Sequence, residues 1–365
     1  MSASGPARSP ARSTYIDLLR GVAVLLMIEA HVFDAWTRPA ARASTGFRYA
    51  TILGGFAAPL FLWLAGLGVA LSAARAVSRF HNRGKVVDAL CRRGLQIFVL
   101  AFLFRLQAFI VSPGSHPITL FRVDILNIMG PAIVVAGLMW GLLPSETALT
   151  LAYASTAIGI AMVTPLVRTA VFVDRLPVWI TWYVRPSGEY TTFTAFPWTG
   201  FVFAGAACGV LLVAAQRQGD ERRLLSAMSL IGLLLLAIGL YTASLPSIYQ
   251  HSSFWTSSPT YFAVRTGILL MALPWARAVS DARILQAWFP PLLTLGRNSL
   301  FVYWIHVELV YGYASWTIHR RLPLWGTLVA YAGFSAAMYG VVILRDHLTE
   351  RWRARRFAVG GLRAT

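Results

Sequence analysis

Asp17, Arg20, Val24, Ile28, His31 and Ala35 recur at helical spacing inside one apolar stretch. A helix through them would carry a carboxylate, a guanidinium and an imidazole along a single stripe. Arg20 and His31 are eleven residues apart, about 16 Å along such a helix. Asp34 lies at the edge of the stripe and Glu29 points elsewhere. An imidazole in these surroundings can take a proton from an attacking amine or hydroxyl. The plainer alternatives are a helix-start pair for Asp17 and Arg20 and an interhelical hydrogen bond for His31.

The elements that must hold these groups follow from composition. Of 365 residues, 57% are hydrophobic and 13% charged, where a soluble domain carries about 25% charged residues. Apolar windows of about 20 residues recur along the chain and predict an all-α, polytopic membrane bundle of about ten helices. The windows are 15–36, 50–74, 94–111, 120–142, 147–164, 194–215, 225–244, 260–279, 293–316 and 324–345. A soluble enzyme is excluded, and so is a disulfide scaffold, since Cys91 and Cys208 are the only cysteines. The net charge of +18 does not indicate a nucleic-acid partner, because the basic residues are scattered between apolar segments and form no stripe. The partner is the bilayer. With the N-terminus inside, the inner loops hold 18 Lys and Arg residues and the outer loops 8, which places both termini in the cytoplasm. Residues 1–14 read as a disordered cytoplasmic arm, 15–346 as the membrane domain and 347–365 as a basic tail on anionic headgroups. The first apolar segment is charged and long enough to span, unlike a cleaved signal peptide.

Depth then suggests partners. The fourth window runs inward, so Arg122, Asp124 and Asn127 begin near the level of His31. Asp124 could hold the imidazole tautomer. The ninth runs outward, with Arg297 and Asn298 on the cytoplasmic side and His306 and Glu308 deep, where an ionisable group needs a partner or a role. Arg265 is another buried cation. Gly205 and Gly209 make a GxxxG spacing for close helix packing. Trp179, Trp182, Tyr183 and Tyr190 in the outer loop 165–193 fit either a membrane-interface belt or rings that stack on sugars. No HExxH metal spacing, Walker loop or serine nucleophile elbow occurs.

Four blocks in order resemble the membrane acyltransferases related to heparan-α-glucosaminide N-acetyltransferase. The first is Tyr15 to His31, with Asp-x-x-Arg-Gly-x-Ala at Asp17 to Ala23. The others are Phe56 to Gly66, Phe196-Pro-Trp-Thr-Gly200, and Leu295-Gly-Arg-Asn to His306. The resemblance implies transfer of an acetyl group from cytoplasmic acetyl-CoA to an amino or hydroxyl group of a sugar or glycan on the far side. It also implies that the Arg20 region and a histidine near the outer end of the first helix matter. The lysosomal relative uses a histidine in its first lumenal loop. Residues 37–49 contain none, so His31 takes that place.

Joined to the residue reading, this gives Arg20, Arg92, Arg93, Arg297 and Asn298 to the CoA phosphates and His31 to the base. Asp124 orients that base, and Asn127 or Arg122 stabilises the oxyanion. Asp34, Arg122, Trp198, His306 and Glu308 contact the acceptor. No metal is implied, the membrane is a bacterial inner membrane, and self-association is left open. A secondary transporter or flippase of a sugar- or lipid-linked substrate is the rival, since buried charges also serve ion pathways.

Overall fold

A computed structural model describes residues 13–111, 116–282 and 289–361, with side chains described as far as residue 352. The described residues are almost wholly helical, and eight helices are long and apolar enough to cross a membrane. The arm expected over residues 1–14 lies outside the described residues except for Ser13 and Thr14, where α1 (Thr14–Trp36) begins.

The chain divides into two units. The first runs over Ala58–Asp281, together with the start of α1 up to Ile16. It contains α4 (Ala57–Phe80), α5 (Arg83–Val111), α6 (Ile125–Leu142), α7 (Glu146–Thr169), a short α8 (Val178–Val184), α9 (Ala195–Gln218), α10 (Glu221–Ala243) and α11 (Pro259–Asp281). α9 is buried nearly all round, because small residues let neighbouring backbones approach. A Cβ on Gly205 would lie 1.9 Å from the Trp63 carbonyl oxygen, and one on Gly209 2.8 Å from that of Leu67. The GxxxG spacing thus seats α4 against α9. α5 begins at Arg83 rather than at the expected residue 94, since Asn82 accepts the Lys85 N–H at 3.0 Å and caps the helix early.

The second unit runs over Asp17–Ala57 and from Ala282 onward. It holds α1, α2 (Pro39–Arg42), α3 (Thr45–Gly54), α12 (Phe289–Arg297), α13 (Ser299–Tyr311) and α14 (Leu324–Gly361). The window 293–316, read as one span, is two helices broken at Asn298. The cause is local. Gly296 lies against α1, where a Cβ would fall 2.1 Å from the Asp17 carbonyl oxygen, and Asn298 turns its amide back onto Thr294 O at 2.9 Å. α13 runs in the same direction as α1: Arg297 meets Asp17, His306 meets His31, and Val310 O accepts from Trp36 Nε1. α14 runs the opposite way, with Thr327 at Thr37 and Arg345 at Asn298.

Gly205→Leu should drive a side chain into the α4 backbone and lower stability by at least ~3 kcal/mol. Gly159→Leu, where nothing lies within 4 Å, should leave the thermal unfolding midpoint in detergent nearly unchanged. Equal midpoints for the two variants would contradict the α4–α9 packing.

Candidate active site

At one end of the second unit Asp17 is buried, 1% exposed, beneath two arginines. Arg20 Nη1 lies 3.4 Å from one carboxylate oxygen and Arg297 Nε 3.3 Å from the other. Both guanidinium groups remain partly exposed, at 33% and 49% of the side chain, so a buried anion fixes two cations that still reach outward. Arg345, which the sequence reading missed, joins them. Its Nη2 donates to the Asn298 side-chain oxygen, its guanidinium lies 4.3 Å from the Phe301 ring centre, and its charge is shared with Asp346. Only the fold could find it, because α14 brings it back from 47 residues beyond Asn298.

At the other end of the same helix pair, His31 Nδ1 lies 2.8 Å from His306 Nε2, and His306 Nδ1 lies 2.8 Å from the Val302 carbonyl oxygen. The carbonyl can only accept, so His306 Nδ1 carries the hydrogen. In the neutral ring His306 Nε2 then holds the lone pair and accepts from His31 Nδ1–H. That leaves the lone pair of His31 on Nε2, for which no described residue supplies a donor. His306 is fully buried, whereas His31 is half-buried. This is the geometry of a base oriented by a second group.

Around His31 the unit supplies a polar rim. Tyr311 meets the imidazole edge-on at 5.8 Å, and its hydroxyl donates to Asp34 Oδ2 at 2.9 Å. Arg42 donates to the Asp34 carbonyl oxygen and, at 3.5 Å, to its carboxylate. Asp34 is therefore exposed but held. Glu308 is buried on α13, two residues from His306 and so on another side of the helix.

The remaining expected site residues belong to the first unit. His306 meets His31 within the second unit, whereas Asp124, expected to orient the base, belongs to the first unit. The Asp124 carboxylate is engaged by Arg105, both largely buried at 8% and 13% exposure. Asn127, expected at the oxyanion, closes the start of α6: its side-chain oxygen accepts the Asp124 N–H at 2.9 Å and its amide donates to the Tyr183 hydroxyl at 3.4 Å. Burial raises the Tyr183 pKa, against the opposing hydrogen bond from Asn127. Arg122 Nε reaches Thr192 at 3.1 Å, tying residues 121–124 to 190–193. Trp198 packs edge-on against Phe193 at 4.9 Å. Trp182, one of the rings open to a stacking role, is buried flat against Tyr190 at 5.0 Å, so that face is already occupied. Arg92 is exposed and paired with Asp88, and Arg93 is exposed beside it.

Apolar helices in this number define a polytopic membrane protein, and its second unit carries a hydrogen-bonded histidine pair. Residues 12–250 match the family model of the heparan-alpha-glucosaminide N-acetyltransferase catalytic domain, and the chain belongs to that family of transferases. No curated protein matches it. The matched stretch contains His31 and ends before His306.

Breaking the buried pair of the first unit should be costly. Arg105→Met leaves Asp124 as an uncompensated buried charge and should lower stability by about 3–5 kcal/mol, whereas Arg105→Met with Asp124→Leu should recover much of it. Chemical unfolding in detergent reads both. A single variant no less stable than the double would contradict a buried ion pair at this place.

Proposed function

We propose that the protein is a membrane-embedded acyltransferase that moves an acetyl group from cytoplasmic acetyl-CoA to an amino or hydroxyl group of a sugar on the outer face of a bacterial cytoplasmic membrane. Family membership supports the reaction class. The observation that carries the mechanism is the chain from Val302 through His306 to His31, with its free lone pair on Nε2.

Arg20 and Arg297, fixed by Asp17 and backed by Asn298 and Arg345, supply a cationic patch for the phosphates of CoA; Arg92 and Arg93, exposed on the first unit, are the other cations expected to serve the donor. His31 Nε2 takes the proton from the acceptor nitrogen or oxygen as that atom bonds to the thioester carbonyl carbon. Positive charge then develops on the imidazole, and Nδ1–H stays donated to His306, so the ring does not turn. Collapse of the tetrahedral adduct breaks the C–S bond, and the leaving thiolate receives the proton back from His31. Every proton is accounted for without a further base. His306 is a positioning residue here, and Asp124 and Asn127 cap the start of α6 in the other unit. The 18-to-8 distribution of Lys and Arg supports the orientation.

His31→Gln should lower turnover by at least roughly 10²-fold with donor affinity little changed, since Arg20 is about 16 Å away along the helix. His306→Ala should lose activity and shift the pH–rate profile, and His306→Gln, which keeps a donor and an acceptor, should restore part of it. Near-normal transfer by folded His31→Gln would remove the base role. At the other end, Arg20→Ala should weaken CoA binding measured by calorimetry, and Arg20→Lys should restore it incompletely because a point charge replaces a planar fork. Undiminished affinity would take Arg20 out of the donor site. For orientation, cysteines at positions 80 and 220 should label from the cytoplasm and those at 185 and 252 from the opposite side. Labelling of 185 and 220 from one side would overturn the topology.

A further inference from the structure

The connection between α13 and α14 is built as a rigid shelf over the end of α1. Ser315 Oγ donates to Val310 O at 2.5 Å, the same carbonyl that accepts from Trp36 Nε1 at 3.0 Å. Arg320 has φ 55, an uncommon left-handed conformation for a residue with a side chain. It is kept there by two backbone bonds, Arg320 N–H to Ala35 O and Leu322 N–H to Trp36 O, both 2.9 Å, while Arg38 N–H returns to Leu322 O. A surface turn pinned on four sides and holding a strained residue has a fixed shape to present.

It presents an aromatic plate. The rings of Trp316 and His319 are stacked 9° from parallel with centres 6.0 Å apart, and Trp316 is 57% exposed. His319 covers part of the indole and leaves the rest open. Polar groups lie along the same turn: Arg320 follows His319, its N–H bonds the Ala35 carbonyl next to Asp34, and Arg42 holds Asp34. Burial, then the charge of Arg320, holds the His319 pKa below the ordinary histidine range, so at neutral pH the ring can both donate and accept a hydrogen bond. Asp34 accepts from Tyr311, whose ring lies against His31. Two contacts therefore separate Asp34 from the base.

An exposed indole stacked on an imidazole, on a turn tied to α1 beside the Asp34–Arg42 pair, suits a pyranose. The axial C–H groups of a sugar ring pack on the aromatic surface, while its equatorial hydroxyls reach outward to charged and neutral hydrogen-bonding groups. Interface tryptophans that only mark a membrane boundary need no such neighbours. We propose that Trp316 and His319, with Asp34 and Arg42, form the acceptor subsite, taking a sugar ring on the open face of Trp316 and presenting its amino or hydroxyl group towards His31. This rests on the acyltransferase reading for the sugar's role as acceptor, but not for its binding.

The test measures glucosamine binding to the full-length protein in detergent by saturation-transfer NMR, in parallel with acetyl transfer to the same sugar. Wild type and His31→Gln should both bind it. Trp316→Ala should weaken binding about tenfold and raise KM for the sugar far more than it lowers kcat, and Trp316→Tyr should recover most of the loss. Binding that depends on Trp316 without any acetyl transfer by wild type would leave the subsite standing and sink the acyltransferase reading. Transfer by wild type with an unaltered KM in Trp316→Ala, or sugar binding that is absent or equal in wild type and Trp316→Ala, would overturn the subsite.

Discussion

The hydrogen-bonded chain from the Val302 carbonyl through His306 to His31 is the constraint to which the second unit is fitted. A buried imidazole has two nitrogens to satisfy, and hydrocarbon offers neither with a partner. His306 meets both needs, one with a carbonyl of its own helix and one with His31. In doing so it fixes which nitrogen of His31 is basic. The consequence reaches the backbone: His306 and His31 pair where α1 and α13 run side by side in the same direction. Their register is set at the far end, where Arg297 reaches Asp17 and Gly296 lies against the Asp17 backbone. The break at Asn298 serves the same end, since α12 packs on Asp17 and Gly21 through Gly296 and Leu292 while α13 follows α1.

Charge placement obeys the same logic throughout the chain. Asp17 lies beneath Arg20 and Arg297, and Asp124 is engaged by Arg105. An ionised group inside a bilayer costs about 2.5–3.5 kcal/mol at a helix centre on insertion scales, so these side chains are informative about what the fold must keep. The Asp17 cluster leaves two guanidinium groups partly exposed, whereas both partners of the Asp124–Arg105 pair are largely buried.

Much of this was legible in the sequence, and for a physical reason. Helical periodicity places Asp17, Arg20 and His31 on one stripe whatever the neighbours are, and apolar windows report the helices that carry it. What periodicity cannot report is which distant helix faces the stripe. Residue depth suggests Asp124 for the place beside His31 and gives His306 to the acceptor; folding, which closes a gap of 275 residues, pairs His306 with His31. The same holds for Arg345, an unremarkable arginine inside a long helix until α14 doubles back onto Asn298. The helix break was hidden because its residues are apolar on both sides. Its cause, Gly296 meeting the backbone of α1, is a tertiary contact. The aromatics of loop 165–193 show the converse: composition allowed an open stacking surface, but Trp182 stacks on Tyr190 and leaves none on that face.

The tautomer of His31 is the point on which the account turns. ¹⁵N NMR of the histidine-labelled protein, with His31 assigned by its loss in a His31→Gln sample, reports protonation at each ring nitrogen directly. The account predicts a neutral His31 with hydrogen on Nδ1 and a bare Nε2, next to a His306 of the same tautomer. A His31 signal showing hydrogen on Nε2 and a bare Nδ1 would contradict it, because the lone pair would then point at His306 instead of at an acceptor.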